Sequence, residues 1–416
     1  MKLMKIFSMT LAVLVLAVSV VSCTTGGTGK EDGTVTEGVT EPMTDPSLEW
    51  TAATEYVCQD ESVLRTYADM SPEQFDLVCR YYEGQGYQVY SQSVKAGNHF
   101  ATYVKDSAMA HIYLYTSRQE LNIVTSDTAA TTLPPAVPEV TSGTYETSVT
   151  QMKDAAHING MGYVIQLADG SFIIYDGAYV EQHKRLYNTL VAMSEGLDEI
   201  VIRAWVITHA HDDHYPTFGM FGKRYGTQVT LERLIIAPIA EEIAFDNYLN
   251  TTVHEDLARY EGAELVYAHS GMEFTFCNLK MEVLFAADDV YRNQIPDNFN
   301  TTSLVTRLYD SQGYSMLVLG DATITSTTLM QEVYGDYLKS NICQVAHHGV
   351  EDVTLSFYET VQANILFYPC MQSLYDMEGR NSDVRKALET KPYTKEILIA
   401  GNDQYVRSWG TVFTAE

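Results

Sequence analysis

The sequence predicts an α/β protein of layered sheets and helices, preceded by a small α+β unit. Three observations predict it. From about residue 140 to the end, short apolar strand-like runs alternate with helical segments. Before that, four partly alternating runs, tyrosine-rich as a group, follow one another directly, as in an antiparallel sheet. A proline-rich stretch, 131-TTLPPAVP-138, separates the two regimes. At 416 residues the chain is long for one domain and comfortable for two, and 46% hydrophobic content is ample for a large core.

The N-terminus is set aside first. Lys2 and Lys5 precede an almost uninterrupted apolar run, Ile6 to Val21, that ends in Val20-Val21-Ser22-Cys23. Residues 1–23 therefore read as a signal peptide, the run being short for a membrane span, which needs about 20 residues. The ending resembles a bacterial lipobox, which implies a lipid-modified Cys23 as the first mature residue. That places the protein on the extracellular face of a bacterial cell membrane. Residues 24–50, rich in Thr, Gly and acidic side chains, bury too little to offset their ordering entropy and read as a disordered tether.

Residues 51–131 form the small α+β domain. Ser71-Pro72-Glu73-Gln74 is a capping-box helix start with proline at the first helical position. The helix runs to Gly84 or Gly86, and strands follow in YQVYSQSV, HFATYVKD, AHIYLYT and LNIVTS. His99 and His111 read as ordinary histidines within them. Residues 132–139 are the linker and 140–416 the second domain. There, Asp169-Gly170 joins Tyr163–Leu167 to Phe172–Tyr175 as a hairpin. Helices are predicted at Arg185–Gly196, Ser326–Leu338, Thr354–Val361 and Val384–Glu389. Strands are predicted at Val201–Thr208, Leu231–Ala237, Glu264–Ala268, Ser303–Leu308, Ser315–Leu319, Ile342–Ala346, Ile365–Tyr368 and Ile397–Ala400.

The net charge is −28, and no basic run or stripe interrupts it. Such a chain is a poor counterion-release partner for nucleic acid. No protein partner is indicated. Besides Cys23 the cysteines are Cys58, Cys79, Cys277, Cys343 and Cys370, with no CxxC pair. A Cys58–Cys79 disulfide is one reading in an oxidising compartment, and buried free thiols are the other.

Chemistry concentrates in 209-HAHDDH-214, just beyond the strand Val201–Thr208. Imidazole and carboxylate are ligands for zinc, iron or manganese, but one strand end cannot complete a coordination sphere. Two other apolar strands supply what is missing. One runs through Leu319-Gly320 into Asp321, and the other into His347-His348-Gly349. Taken alone, Asp321 would read as a helix N-cap and the histidine pair as a satisfied buried pair. Together, three strand ends deliver ligand-type residues to one rim.

This constellation, HxHxDH followed by LGD at 319–321 and HHG at 347–349, resembles the metallo-β-lactamase superfamily. The opening 173-IIYDG-177 matches that family's first signature, and 300-NTTSLV-305 is similar to a segment of one branch. That branch includes the hydrolase domain of competence-type DNA-uptake proteins and phosphorylcholine esterases. The resemblance covers about residues 140–405 and implies an αββα sandwich. It further implies two divalent metal ions, zinc first, with manganese or iron as alternatives. His209 and His211 would bind the first metal, Asp213 and His214 the second, and Asp321 both, with either His347 or His348 completing the second site. Asp176 would order the site without binding metal. The extra histidine of many members has no counterpart, His254 and His269 both reading as surface residues. The first site is then short of a donor, which Asn298, Asn300 or water would supply. Val350 stands where the branch has serine.

The implied reaction is hydrolysis by hydroxide held between two ions, with Asp213, a water or the non-ligating histidine returning a proton to the leaving group. A phosphodiester or phosphomonoester of small-molecule or cell-envelope origin is the expected substrate. The alternative is a non-enzymatic surface lipoprotein that binds a ligand or metal on the same fold.

Overall fold

A computed structural model describes residues 44–58, 60–136, 143–154, 156–238, 252–291, 299–350 and 353–411, with backbone only at 290–291. Pro42–Glu416 form one compact unit. Cys23 and the whole leader and tether up to residue 43 lie outside the described residues, as does Asn298. Among the described residues no helix is long and apolar enough to cross a membrane.

The first layer is a six-stranded antiparallel sheet. Its strands are β1 (Thr54–Val57), β2 (Val63–Tyr67), β3 (Gln88–Lys95), β4 (Asn98–Lys105), β5 (Ala108–Tyr115) and β6 (Glu120–Ser126), ordered β1-β2-β6-β5-β4-β3. The helix Pro72–Gly84 starts at the predicted capping box on Ser71 and Gln74. The period of two decides what each face of β5 meets. Ala110, Ile112 and Leu114 pack with Phe75, Val78 and Cys79 of the helix. Met109, Tyr113 and Tyr115 instead join the core of the rest of the chain. Cys58 belongs to that core and Cys79 to the helix side, so the suggested disulfide is not made and both are buried free thiols.

Two mixed sheets follow. One runs β13-β12-β10-β9-β8-β7-β21, from β7 (Ser148–Gln151), β8 (Gly162–Gln166), β9 (Phe172–Asp176), β10 (Val201–Val206), β12 (Arg233–Ile236), β13 (Glu264–Tyr267) and β21 (Tyr405–Ser408), with β11 (Thr230–Leu231) also on β10. The other runs β14-β15-β16-β17-β18-β19-β20, from β14 (Glu273–Phe276), β15 (Leu279–Phe285), β16 (Val305–Tyr309), β17 (Ser315–Val318), β18 (Ile342–Gln344), β19 (Ile365–Tyr368) and β20 (Glu396–Ile399). Buried side chains of both sheets form one cluster. Helices His183–Met193 and Pro216–Tyr225 pack with each other, as do Ile324–Tyr334 and Leu355–Val361, giving the expected αββα arrangement. Strands β9 and β10 are parallel, as are β17 and β18. Crevices at the carboxyl ends of parallel strands are where α/β folds place their sites, and Asp176, the 209–214 cluster, Asp321 and the 347–348 pair lie at or just beyond the ends of these four strands.

The sequence reading differs from the structure in a few places. The strands β1, β2, β7, β14, β15 and β21 and the helix Pro216–Tyr225 were not anticipated, several being short or half-exposed. The predicted helix at 326–338 starts at Ile324 and tightens to a 3₁₀ turn over Gly335–Leu338. Its N-cap is Thr323, which frees Asp321 from that structural use.

The contact between the first sheet and the rest is polar and buried. Lys95 lies 2.8 Å from Glu282 and 3.1 Å from Glu273, and Glu282 also has Arg307 of its own sheet at 3.1 Å. Tyr113 and Tyr115 hydroxyls donate to Asp288 and Asp289, each at 3.0 Å. His269 is not the surface residue expected: it is 0% exposed, with Nδ1 3.5 Å from Asp288 and Nε2 3.8 Å from Asp60. His254, in contrast, is exposed. Burial alone would discharge the His269 ring, but Asp288 and Asp60 outweigh it and raise its pKa to about 9. A folded-state pKa above the usual 6.5 stabilises the fold fully below pH 6.5 and is lost as pH rises through 9. The contribution is on the order of 3 kcal/mol. Denaturant unfolding should therefore show stability falling between pH 6.5 and 9, and His269→Gln should be less stable at pH 6 with a flatter dependence across that window.

Candidate metal centre

Asp176 ends β9, and its carboxylate accepts from the Thr208 backbone N–H (2.7 Å), the Thr208 hydroxyl (2.8 Å) and His214 Nδ1 (2.7 Å). A carboxylate only accepts, so His214 carries its proton on Nδ1 and turns a bare Nε2 inward. The same device recurs at His348. Its Nδ1 donates to the Pro369 carbonyl at 2.7 Å, leaving Nε2 toward the centre. Both Nε2 atoms, and Asp321 Oδ1, are buried without a hydrogen-bond partner. Native interiors rarely leave such groups unmatched, and here three of them converge.

Asp321 is the meeting point and is 2% exposed. Its oxygens lie 3.3 Å from His214 Nε2, 3.4 Å from His348 Nε2, 3.8 Å from His209 Nε2 and 3.9 Å from His347 Nε2. His348 Nε2 is also 3.0 Å from Asp213 Oδ2, and His209 Nε2 is 3.1 Å from His211 Nδ1. Two donor groups result: Asp213, His214, Asp321 and His348 in one, and His209, His211 and Asp321 in the other. Within each, one donor atom per residue lies within 4.8 Å of the others. Orphaned imidazole nitrogens around a shared carboxylate are the chemistry a pair of divalent ions requires, so the residues present fit them.

The backbone is bent to make this possible. His347 and His348 both have positive φ, +47° and +54°, as does Asp176 at +50°. L residues seldom adopt such conformations, and they persist where surrounding contacts over-determine them. Gly320, φ +55°, approaches Thr208 so closely that a Cβ would stand 2.8 Å from the threonine Cβ. That approach brings the end of β17 against the end of β10 and carries Asp321 to the histidines.

Charge follows the geometry. Burial, with His214 beside it, holds the His209 pKa well below the usual imidazole range. For His214, burial is outweighed by Asp321 and Asp176, and its pKa is raised well above that range. Asp321 and Asp213 oppose burial in the same way at His348, raising it to about 9. Asp321 is held well below the carboxylate range by His348 and His214 despite its burial. A metal ion held there would displace the second proton that these carboxylates favour on His214 and His348.

Of the pair left open by sequence, His348 belongs to a donor group. His347 stands beside it, 19% exposed, with its Nε2 3.1 Å from the Asn300 amide. Asn300 thus reaches the site through His347. Val350 is buried in the core. Sequence reading missed Thr208, Pro369 and Asn159, whose amide donates to Asp213 Oδ2. The Asn159-Gly160 pair before β8 was the available signal. A cavity of about 540 Å³ has Asp212, the neighbour of Asp213 in sequence, in its wall, together with Tyr179, His157, Lys223, Arg259 and the carboxylates of Glu181, Glu255 and Asp256.

A two-sheet αββα scaffold with histidine and aspartate donors at one rim defines a class of metal-dependent hydrolases. Residues 159–359 match the metallo-beta-lactamase superfamily. No curated protein matches the chain. Among solved structures it is similar to the metallo-beta-lactamase fold protein YhfI from Bacillus subtilis, with 12% identity, 64% of this chain and 100% of that one covered, and a TM-score of 0.42. It is also similar to Zn(2+)-bound PqqB from Methylobacterium extorquens, with 10% identity, 63% and 99% covered, and a TM-score of 0.40. For the short form of human tRNase Z the values are 13% identity, 64% and 100% covered, and a TM-score of 0.36.

Because Asp321 is in both donor groups, Asp321→Ala should abolish binding of both ions. His209→Ala should remove one and leave the other. Elemental analysis of zinc-loaded, desalted protein checks both.

Proposed function

We propose that the protein is a phosphoesterase acting outside the cell from a lipid anchor at Cys23. In this reading His209, His211 and Asp321 hold one divalent ion, and Asp213, His214, Asp321 and His348 hold a second. The observation that carries it is Asp321, a buried carboxylate common to two imidazole-rich donor groups. Zinc is the first candidate, with iron or manganese next, on donor chemistry. When bound, such ions lower the pKa of water toward 7 and stabilise charge developing on a phosphoryl oxygen.

The chain's own residues do the rest. Asp176 and Pro369 fix the tautomers of His214 and His348. Asn300 holds His347 at the exposed side of the centre. From there His347 supplies the proton the leaving group needs, and Asp213 remains a donor. Support for a phosphoester comes from the NTTSLV and HHG segments, which resemble the esterase branch.

Purified protein should hydrolyse bis(p-nitrophenyl) phosphate or p-nitrophenyl phosphate and lose that activity to a chelator, with recovery on adding zinc or manganese. Stoichiometric metal without turnover on any phosphoester would leave a binding protein and overturn the proposal. His347→Gln should lower turnover of alkyl phosphodiesters by ~10²–10⁴-fold. It should affect nitrophenyl esters far less, because nitrophenolate departs without a proton.

A further inference from the structure

Asn159 is a side chain near the centre that the motifs do not name, and it is held at both ends of its amide. Its Nδ2 donates to Asp213 Oδ2, and its Oδ1 accepts from the Tyr179 hydroxyl at 3.1 Å. These two contacts permit only one orientation. A carboxylate accepts only, so it must meet the amide nitrogen, and the tyrosine proton then has the amide oxygen to itself. Reversed, the amide would set its oxygen against a carboxylate.

The backbone around Asn159 is equally fixed. Asn159 bridges to Cys370, Gly160 N–H donates to Pro369 O at 3.3 Å, and Met371 N–H donates to Ile158 O at 2.9 Å. Met161 N–H donates to Asp213 O at 3.0 Å. A Cβ at Gly160 would lie 2.7 Å from Asp154 Oδ2, so this close approach needs glycine. Residues 158–161 are thus tied to the main chain of Asp213 and to Pro369, whose carbonyl also orients His348. The strap joins two members of one donor group and touches neither His209 nor His211 in any described hydrogen bond.

Tyr179 extends the chain outward. It walls the 540 Å³ cavity, and His157 stacks on it with ring centres 4.0 Å apart. His157 is in turn held by Asp154, 3.1 Å from its Nδ1. A continuous set of contacts therefore runs from the cavity wall through one amide to a single donor carboxylate.

We propose that Asn159, locked in orientation by Tyr179, is a positioning residue that sets the plane of the Asp213 carboxylate and so tunes one of the two metal sites selectively. This rests on the two-ion reading above. Removing the amide lets Asp213 swing, while Asp321, His209 and His211 keep their places. Partners that orient metal ligands typically change affinity by ~10–100-fold when lost.

The test is zinc binding to metal-free full-length protein, competed against a chromogenic chelator so that two dissociation constants are resolved. Asn159→Leu should weaken one site ~10–100-fold and leave the other within about threefold. Asn159→Asp, which sets acceptor against acceptor, should weaken the same site at least as much. Tyr179→Phe, which keeps the ring and loses the hydroxyl, should weaken it by a smaller factor, and it decides the matter if the Asn159 variants do not fold. Wild-type protein that takes up no zinc overturns the two-ion reading and this inference with it. Two sites in the wild type with unchanged affinities in the folded variants, or with both sites weakened equally, overturn this inference alone.

Discussion

The structure depends on one buried carboxylate with four imidazoles around it. Asp321 is withdrawn from water at the end of β17, and burial of an anion is costly unless opposite charge or hydrogen bonds compensate it. Every nearby feature serves that compensation. His214 and His348 turn their bare nitrogens to it because Asp176 and Pro369 take the other ends of the rings. Gly320 lets β17 close on Thr208, and Thr208 in turn anchors Asp176. The same few contacts therefore place the carboxylate, charge its neighbours and settle which ring nitrogens face inward.

Strain is part of the arrangement. Left-handed backbone at Asp176, His347 and His348 is sustained by the flanking strands, which are buried throughout. Consecutive left-handed residues send the two histidines of the pair to different tasks. One faces Asp213 and Asp321, and the other faces the solvent side and Asn300. A sequence of two adjacent histidines carries no sign of that division, which is why His347 and His348 could not be told apart from it.

Much else was legible. The apolar runs at 201–208, 315–319 and 342–346 are strands within a few residues of those bounds, because fully buried parallel strands read as continuous hydrophobic sequence. The ligand-type residues follow them in order, so the grouping of His209, His211, Asp213, His214 and Asp321 was visible as a pattern. Thr208, Pro369 and Asn159 were not, because they act through a hydroxyl, a carbonyl and an amide that any loop supplies. Position in space, not residue type, gives them their part. His269 escaped for the opposite reason. It looks like a loop residue before Ser270-Gly271, and only the packing of a sheet more than a hundred positions earlier buries it.

That packing bears on how the chain came to be organised. The proline-rich stretch around 134 looks like a seam between detachable modules, yet buried polar side chains meet partners across it. Glu282 on one side has Lys95 on the other, and Asp288 and Asp289 have Tyr113 and Tyr115. Shedding the front sheet would strip the lysine and the tyrosines from carboxylates that water does not otherwise reach. The second half thus has the first sheet as a cover over its buried carboxylates, and the two should unfold as one piece.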